Sequence, residues 1–142
     1  MGTANDKRTI YITENDKARL EKLLAEEIMS AKKGFLHLEG LTKELMKAKV
    51  VGAAHVPSDV ITMNSKVILK DVEKGTSDQY VLVFPQNANA EENKVSILSP
   101  IGTAMIGCRV GHAFDVTTAT GRKRMMVEQL LYQPEAAGDY HL

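Results

Sequence analysis

The sequence contains no tryptophan and only one cysteine, and aromatic residues make up 5% of its 142 residues. A single cysteine cannot form an internal disulfide, so a disulfide-stabilised fold is excluded. The cysteine, Cys108, follows a predicted helix end among apolar neighbours. That position favours a small buried residue over a reactive thiol.

The chain also lacks a charge excess and a long apolar run. It has 18 basic and 18 acidic side chains, whereas proteins that bind nucleic acid normally carry an excess of basic residues. We therefore expect no direct sequence-specific nucleic-acid binding. No apolar segment approaches the length of a membrane span, and the first residues have no apolar signal core. These absences predict a cytoplasmic protein with no membrane partner.

Motifs for catalysis or metal binding are absent as well. Gly102 and Gly107 have the spacing of the outer glycines of a phosphate-binding loop, but Cys108 and Arg109 replace the required Lys-Ser/Thr pair. The four histidines do not pair with one another or with cysteine at ligand spacing. They are His37, His55, His112 and His141. We expect no enzyme activity, no catalytic residue, no metal and no cofactor.

Residues 1–52 have the pattern of two amphipathic helices. The first dozen residues are polar and predicted to be loose, and Thr13 is a candidate N-cap. Apolar residues then recur at three- and four-residue steps. They are Leu20, Leu23, Leu24 and Ile28 in the first helix and Leu38, Leu41, Leu45 and Ala48 in the second. This pattern predicts a short antiparallel helical hairpin, a coiled coil with arms of about 16 residues.

Residues 57–142 have the pattern of a second, β-rich domain. Short β-rich runs, including a predicted strand at Val60–Met63, are separated by turn-forming segments, and the chain is therefore predicted to be α+β. Within this domain a buried strand leads directly into a short helix, with Ser99 as N-cap and Pro100 as first helical residue. Gly107 is placed to end that helix.

Three segments resemble a known family. They are VITMNS at 60–65, SPIGTA at 99–104 with the later Val110-Gly111 turn, and the ending YQPEAAGDY at 132–140. Together they are similar to the regulator of nucleoside diphosphate kinase family, Rnk. The middle segment also resembles the wider Gre transcript-cleavage-factor family. That resemblance implies an FKBP-like domain in residues 57–142, an antiparallel sheet with one short helix.

The resemblance also implies a partner and a docking surface. Gre-like proteins bind RNA polymerase at the rim of its secondary channel and insert a helical hairpin into the channel. The docking residues implied here are Leu98, Ser99, Pro100 and Ile101, although Gre factors commonly have an acidic residue where this chain has Leu98. The family name further implies an influence on nucleoside diphosphate kinase.

The hairpin tip distinguishes this chain from the cleavage factors, which hold an Asp-x-x-Glu pair at that position. The predicted tip at residues 30–37 reads SAKKGFLH and contains no carboxylate. Its candidate contact residues are Lys32, Lys33, Phe35 and His37. We therefore predict a regulator that competes with Gre-type factors without stimulating transcript cleavage.

Two alternative functions remain open at this stage. An FKBP-like prolyl isomerase requires an aromatic-lined pocket, for which the predicted domain offers only tyrosine and phenylalanine. A homo-oligomeric interaction module is the other alternative, because leucine and phenylalanine near the tip could pair with a second copy. Of the oligomeric states, a monomer is the favoured prediction.

Overall fold

The structure is a computed structural model that describes residues 10–30, 36–52, 55–118 and 121–138. Its N-terminal part contains strand β1 (Tyr11–Ile12), helices α1 (Glu14–Ser30) and α2 (Leu36–Met46), and strand β2 (Lys49–Val50). Within the described ranges, no helix is both long and apolar enough to cross a membrane.

The residues that precede α1 are ordered by a strand pair. β1 and β2 are parallel, and the N–H of Lys49 donates to the carbonyl of Ile10 at 2.8 Å. Ile10 and Ile12 are both buried in the core. The prediction of a loose start is therefore wrong for residues 10–12, because two isoleucines anchor a segment that is otherwise polar.

The two helices bury the faces that their periodicity predicts. Thr13 caps α1 by accepting a hydrogen bond from the N–H of Asp16 at 3.3 Å. The buried leucines on α1 and α2 belong to one core cluster. They are Leu20, Leu24, Leu41 and Leu45.

The two helices differ in length within the described residues, although the sequence predicts two arms of about 16 residues each. α1 has 17 residues and α2 has 11, so they span roughly 25 and 16 Å at about 1.5 Å per residue. The predicted tip residues Lys32, Lys33 and Phe35 lie outside the described residues. His37 lies in α2, but its side chain is not among those described. The hairpin connection therefore stays a prediction.

The remaining elements form a curled five-stranded sheet. Its strands are β3 (Lys66–Asp71), β4 (Thr76–Val83), β5 (Lys94–Ser96), β6 (Ala113–Thr118) and β7 (Gly121–Tyr132). Their order is β5-β4-β3-β7-β6, and every pair is antiparallel except β4 with β5. Two 3₁₀ turns, Pro85–Asn87 and Ala90–Glu92, lie between β4 and β5. The α+β class and the mostly antiparallel sheet are confirmed.

One face of the sheet packs on the short helix α3 (Pro100–Met105) and on the N-terminal helices. A further short helix, α4 (Pro134–Ala137), follows β7 and was not predicted. The predicted strand at Val60–Met63 is wrong, because Val60 makes only an isolated bridge to Arg109. Ile61 and Met63 are nevertheless fully buried, so this apolar run reflects burial in the core rather than a place in the sheet.

Candidate functional site

The corner between β5 and α3 is held by hydrogen bonds from two serines. The Ser99 hydroxyl donates to the Ser96 carbonyl at 2.7 Å and accepts from the N–H of Gly102 at 3.1 Å. The Ser96 hydroxyl accepts from the N–H of Leu98 at 3.0 Å. Ser99 is therefore the N-cap of α3 and Pro100 is its first residue, as predicted.

Gly102 allows the first turn of α3 to lie directly against the end of β5. A Cβ atom at position 102 would clash with the carbonyl oxygen of Ser96 and would lie 3.0 Å from the Cα of Ile97. Both contacts are to backbone, which cannot move aside as the end of a side chain can. The geometry of the corner thus depends on a glycine at this position.

The four predicted docking residues are neighbours on this corner and differ in exposure. Pro100 is exposed, whereas Leu98, Ser99 and Ile101 are half-buried. Leu98 and Ile101 also pack against the core cluster. The corner therefore presents an uncharged surface. Its backbone is held in place by packing of Leu98 and Ile101 against the core and by the hydrogen bonds of the two serines.

The two other segments that carry the family resemblance are hydrogen-bonded to each other. Gln133 donates from Nε2 to the carbonyls of Pro57 and Val60, at 2.8 and 2.6 Å. Glu135 accepts from the Thr62 hydroxyl at 2.7 Å. The sequence motif at residues 132–138 therefore has a structural role, because its side chains form hydrogen bonds to the segment before β3.

Asp16 brings α1 into this same region. Its side chain is buried, and its Oδ1 accepts no hydrogen bond from the described part of the chain, although Arg19 Nη1 lies 3.5 Å away. Burial raises the pKa of Asp16 from 3.8 to about 6, and the Glu135 carboxylate adds to the increase while Arg19 opposes it. Two carboxylates from distant parts of the chain, one on α1 and one on α4, are thus near enough to interact electrostatically.

Asp16 lies in the first turn of α1, and sequence reasoning did not predict its burial near Glu135. The guanidinium of Arg19 lies 4.0 Å above the Phe84 ring, so the same helix turn also contacts the loop after β4. The polar Gln-Pro-Glu run after a long strand is the feature of the sequence that could have indicated a polar contact site here. The residues that this run contacts are distant in sequence and follow no fixed spacing, so they could not be identified from the pattern.

The remaining candidate residues lie mostly in the core. Cys108 is buried, and its thiol donates to the carbonyl of Ala104 at 3.3 Å, which agrees with the interpretation as a small core residue. Phe84 and Phe114 are also buried in the core rather than lining an open pocket. Neither phenylalanine is therefore placed to line the proline-binding pocket that an isomerase would need.

Two family models together match most of the chain. Residues 8–51 match the Rnk N-terminus, and residues 56–132 match the C-terminal part of the transcription elongation factors GreA and GreB. The regulator of nucleoside diphosphate kinase from Escherichia coli strain K12 is 34% identical over 135 residues. This alignment covers 94% of this chain and 97% of that protein.

Similarity to elongation factors is found in both sequence and structure. The elongation factor GreA of Syntrophus aciditrophicus is 33% identical over 105 residues, which are 72% of this chain and 65% of that protein. A solved GreA/GreB elongation factor from Nitrosomonas europaea aligns with a TM-score of 0.73 at 30% identity. That alignment covers 89% of this chain and all of the other.

Proposed function

Because the chain belongs to the regulator of nucleoside diphosphate kinase family and residues 56–132 match the GreA/GreB C-terminal family, we propose that it is a regulator of transcription elongation. In this proposal it binds RNA polymerase at the rim of the secondary channel, competes there with Gre-type factors, and does not stimulate transcript cleavage. Its work is binding rather than catalysis, in keeping with relatives that are named regulators and elongation factors.

The observation that carries the proposal is the corner between β5 and α3. Leu98, Pro100 and Ile101 form an uncharged surface whose backbone is fixed before any partner binds. A preorganised surface loses little conformational entropy on association, which favours its use as a contact. We assign the polymerase contact to this corner, and the domain of residues 57–142 is its support.

The proposed lack of cleavage activity rests on the N-terminal part. Residues 30–37, which run from the last residue of α1 into the first residues of α2, include no aspartate or glutamate that could help to bind a catalytic Mg²⁺. α1 is also only about 25 Å long at about 1.5 Å per residue. We propose that residues 1–52 occupy the channel entrance without supplying groups to the polymerase active centre.

The link to nucleoside diphosphate kinase is proposed to be indirect and to operate through transcription. The kinase assayed with and without the purified protein should then have the same activity. A change in kinase activity in this two-component assay would contradict an indirect link.

Competition binding tests the proposed contact. A fluorescent GreA factor bound to core RNA polymerase should be displaced by the intact protein. Pro100→Glu should weaken displacement by at least about tenfold, because it places a charge in the contact without removing a core side chain. Val72→Glu is the matched control. Val72 is 44% exposed and lies in the turn that joins β3 to β4, whereas the corner lies beside the other end of β4.

The competition experiment tests the proposed function and the proposed contact site separately. Failure of the intact protein to displace GreA would overturn the proposed function. Equal displacement by both variants would show that the corner is not the contact. Stalled polymerase then tests the cleavage part of the proposal, because vigorous transcript cleavage on addition of the intact protein would contradict it.

A further inference from the structure

The face of the sheet that points away from the core contains an open groove of about 740 Å³. Val81 and Val83 of β4 form its floor, and the side chains of Lys66, Lys94, Leu131 and Tyr132 form its sides. We call it the outer groove. None of the four docking residues of the corner lines it, and its volume lies within the usual range for ligand sites.

The strand register places one row of groove residues across four strands. Tyr132 of β7 is opposite Lys66 of β3, Lys66 is opposite Val81 of β4, and Val81 is opposite Lys94 of β5. Directly opposed residues project from the same face of a sheet. Since neighbouring strands are about 4.8 Å apart, the two lysines flank Val81 with their Cα atoms roughly 10 Å from each other.

Two backbone irregularities shape the ends of the groove. The register between β3 and β7 shifts between Lys66 and Val67, which leaves Leu131 as the extra residue of a β-bulge. The bulge allows Leu131 and Tyr132 to line the same groove although they are consecutive. Asn64, which also lines the groove, has a φ of 67°, and its N–H donates to the carbonyl of Leu82 of β4 at 2.6 Å.

The charged side chains that line the outer groove are all basic. Its lining contains two lysines and three side-chain amides, from Asn64, Gln79 and Asn87, and no carboxylate. Lys66 makes no ion pair within the residues that the structure describes. Lys94 pairs with Glu92 at 3.0 Å, but this pair is exposed and therefore weak. An anionic ligand would thus meet two ammonium groups above an apolar floor.

We infer that the outer groove binds an acidic segment of a partner protein that carries an apolar side chain between carboxylates. The apolar side chain would pack on Val81 and Val83, and the carboxylates would pair with Lys66 and Lys94. The groove is open to solvent, which suits a peptide better than a nucleotide, because small ligands are usually enclosed over most of their surface. Its side-chain amides can bond the main chain of such a segment. The inference does not rest on polymerase binding.

Fluorescence anisotropy with two labelled peptides tests the inference. One peptide alternates leucine and glutamate, and the other has glutamine in place of every glutamate. We expect the glutamate peptide to bind about fivefold more tightly at low salt, and this preference to disappear as salt is raised. The double variant Lys66→Gln with Lys94→Gln should abolish the preference.

Two single variants sharpen the test. Glu92→Gln should tighten binding of the glutamate peptide by up to about twofold, because it releases Lys94 from its ion pair. Lys70→Gln is the matched control, since Lys70 lies on the same strand and face as Lys66 but outside the groove. Thermal unfolding should show that all variants remain folded.

Four results would overturn the inference. The first is an absence of saturable binding of the glutamate peptide to the intact protein, and the second is equal binding of the two peptides. The third is a loss of binding in the control Lys70→Gln as large as that in the double variant. The fourth is binding of ADP that depends on Lys66 and Lys94 while the glutamate peptide does not bind, which would assign the groove to a phosphate ligand.

Discussion

Replacing Asp16 with asparagine should stabilise the protein, because the native carboxylate is buried at a cost. Asp16 is 4% exposed, and its Oδ1 accepts no hydrogen bond from the described residues. Burial and the nearby Glu135 carboxylate raise its pKa to about 6. Asparagine has nearly the same shape and no charge, and its amide can donate hydrogen bonds that the carboxylate cannot.

The size of the effect follows from the pKa. An increase from 3.8 to about 6 corresponds to roughly 3 kcal/mol of destabilisation when the group is ionised, at about 1.36 kcal/mol per pKa unit. Screening by solvent reduces this to about 2 kcal/mol. The substitution also removes a favourable charge from the first turn of α1, at a cost of about 0.5 kcal/mol. We therefore expect Asp16→Asn to be more stable by about 1.5 kcal/mol at pH 7.5.

The effect has a defined sign and pH window. Well below pH 3.8 the carboxyl is protonated in both the folded and the unfolded chain, so it contributes no pH dependence. As the pH rises from 3.8 through about 6, the unfolded chain ionises first and the folded state loses stability. Above that window the penalty is complete. The advantage of Asp16→Asn over the native chain should therefore grow across this window and then level off.

Urea unfolding followed by circular dichroism, at several pH values, measures this difference. Glu14→Gln is the matched control, because Glu14 is an exposed carboxylate in the same helix turn. It should change stability by no more than about 0.5 kcal/mol, with no comparable pH dependence. The reasoning is refuted if Asp16→Asn is less stable than the native chain at pH 7.5, or if their difference is constant with pH.

Three further predictions concern the corner and the chain end, and urea unfolding measures each of them. Gly102→Ala should destabilise by about 3 kcal/mol, because the new methyl group meets the backbone of β5, and a native-like stability would contradict this packing. Gln133→Ala should cost about 2 kcal/mol, because the Val60 carbonyl loses its Gln133 donor and the Pro57 carbonyl keeps only the 3.4 Å bond from the N–H of Val60, whereas an unchanged midpoint would deny the hydrogen bonds a structural role. Ser99→Ala should cost about 1 kcal/mol through loss of the N-cap, and Ser99→Thr, which keeps the hydroxyl, should retain most of the stability, so equal losses in both variants would argue against capping.

The features that could be predicted from sequence are those that nearby residues determine. The capping of α1 by Thr13 and of α3 by Ser99 depends on groups within three or four residues. The buried faces of the two helices follow from apolar spacing, as Leu20 and Leu24 illustrate. Local hydrogen bonding and helical periodicity leave a pattern in the sequence itself.

The features that could not be predicted depend on residues far apart in the chain. The pairing of β1 with β2 involves two residues on each side, too few to produce an alternating pattern. Val60–Met63 has a strand-like composition, but it is buried without joining the sheet. The proximity of Asp16 to Glu135, and the row that joins Lys66 to Lys94 across β4, both arise from the tertiary fold.

Photocrosslinking from the corner tests the central claim most directly. A photoreactive phenylalanine analogue at position 100, and the same group at position 72 as control, would be irradiated with core RNA polymerase. The account predicts a crosslink to the rim of the secondary channel from position 100 only, and its loss when excess GreA is added. No crosslink from position 100, or one that persists at full strength in the presence of GreA, would contradict the account.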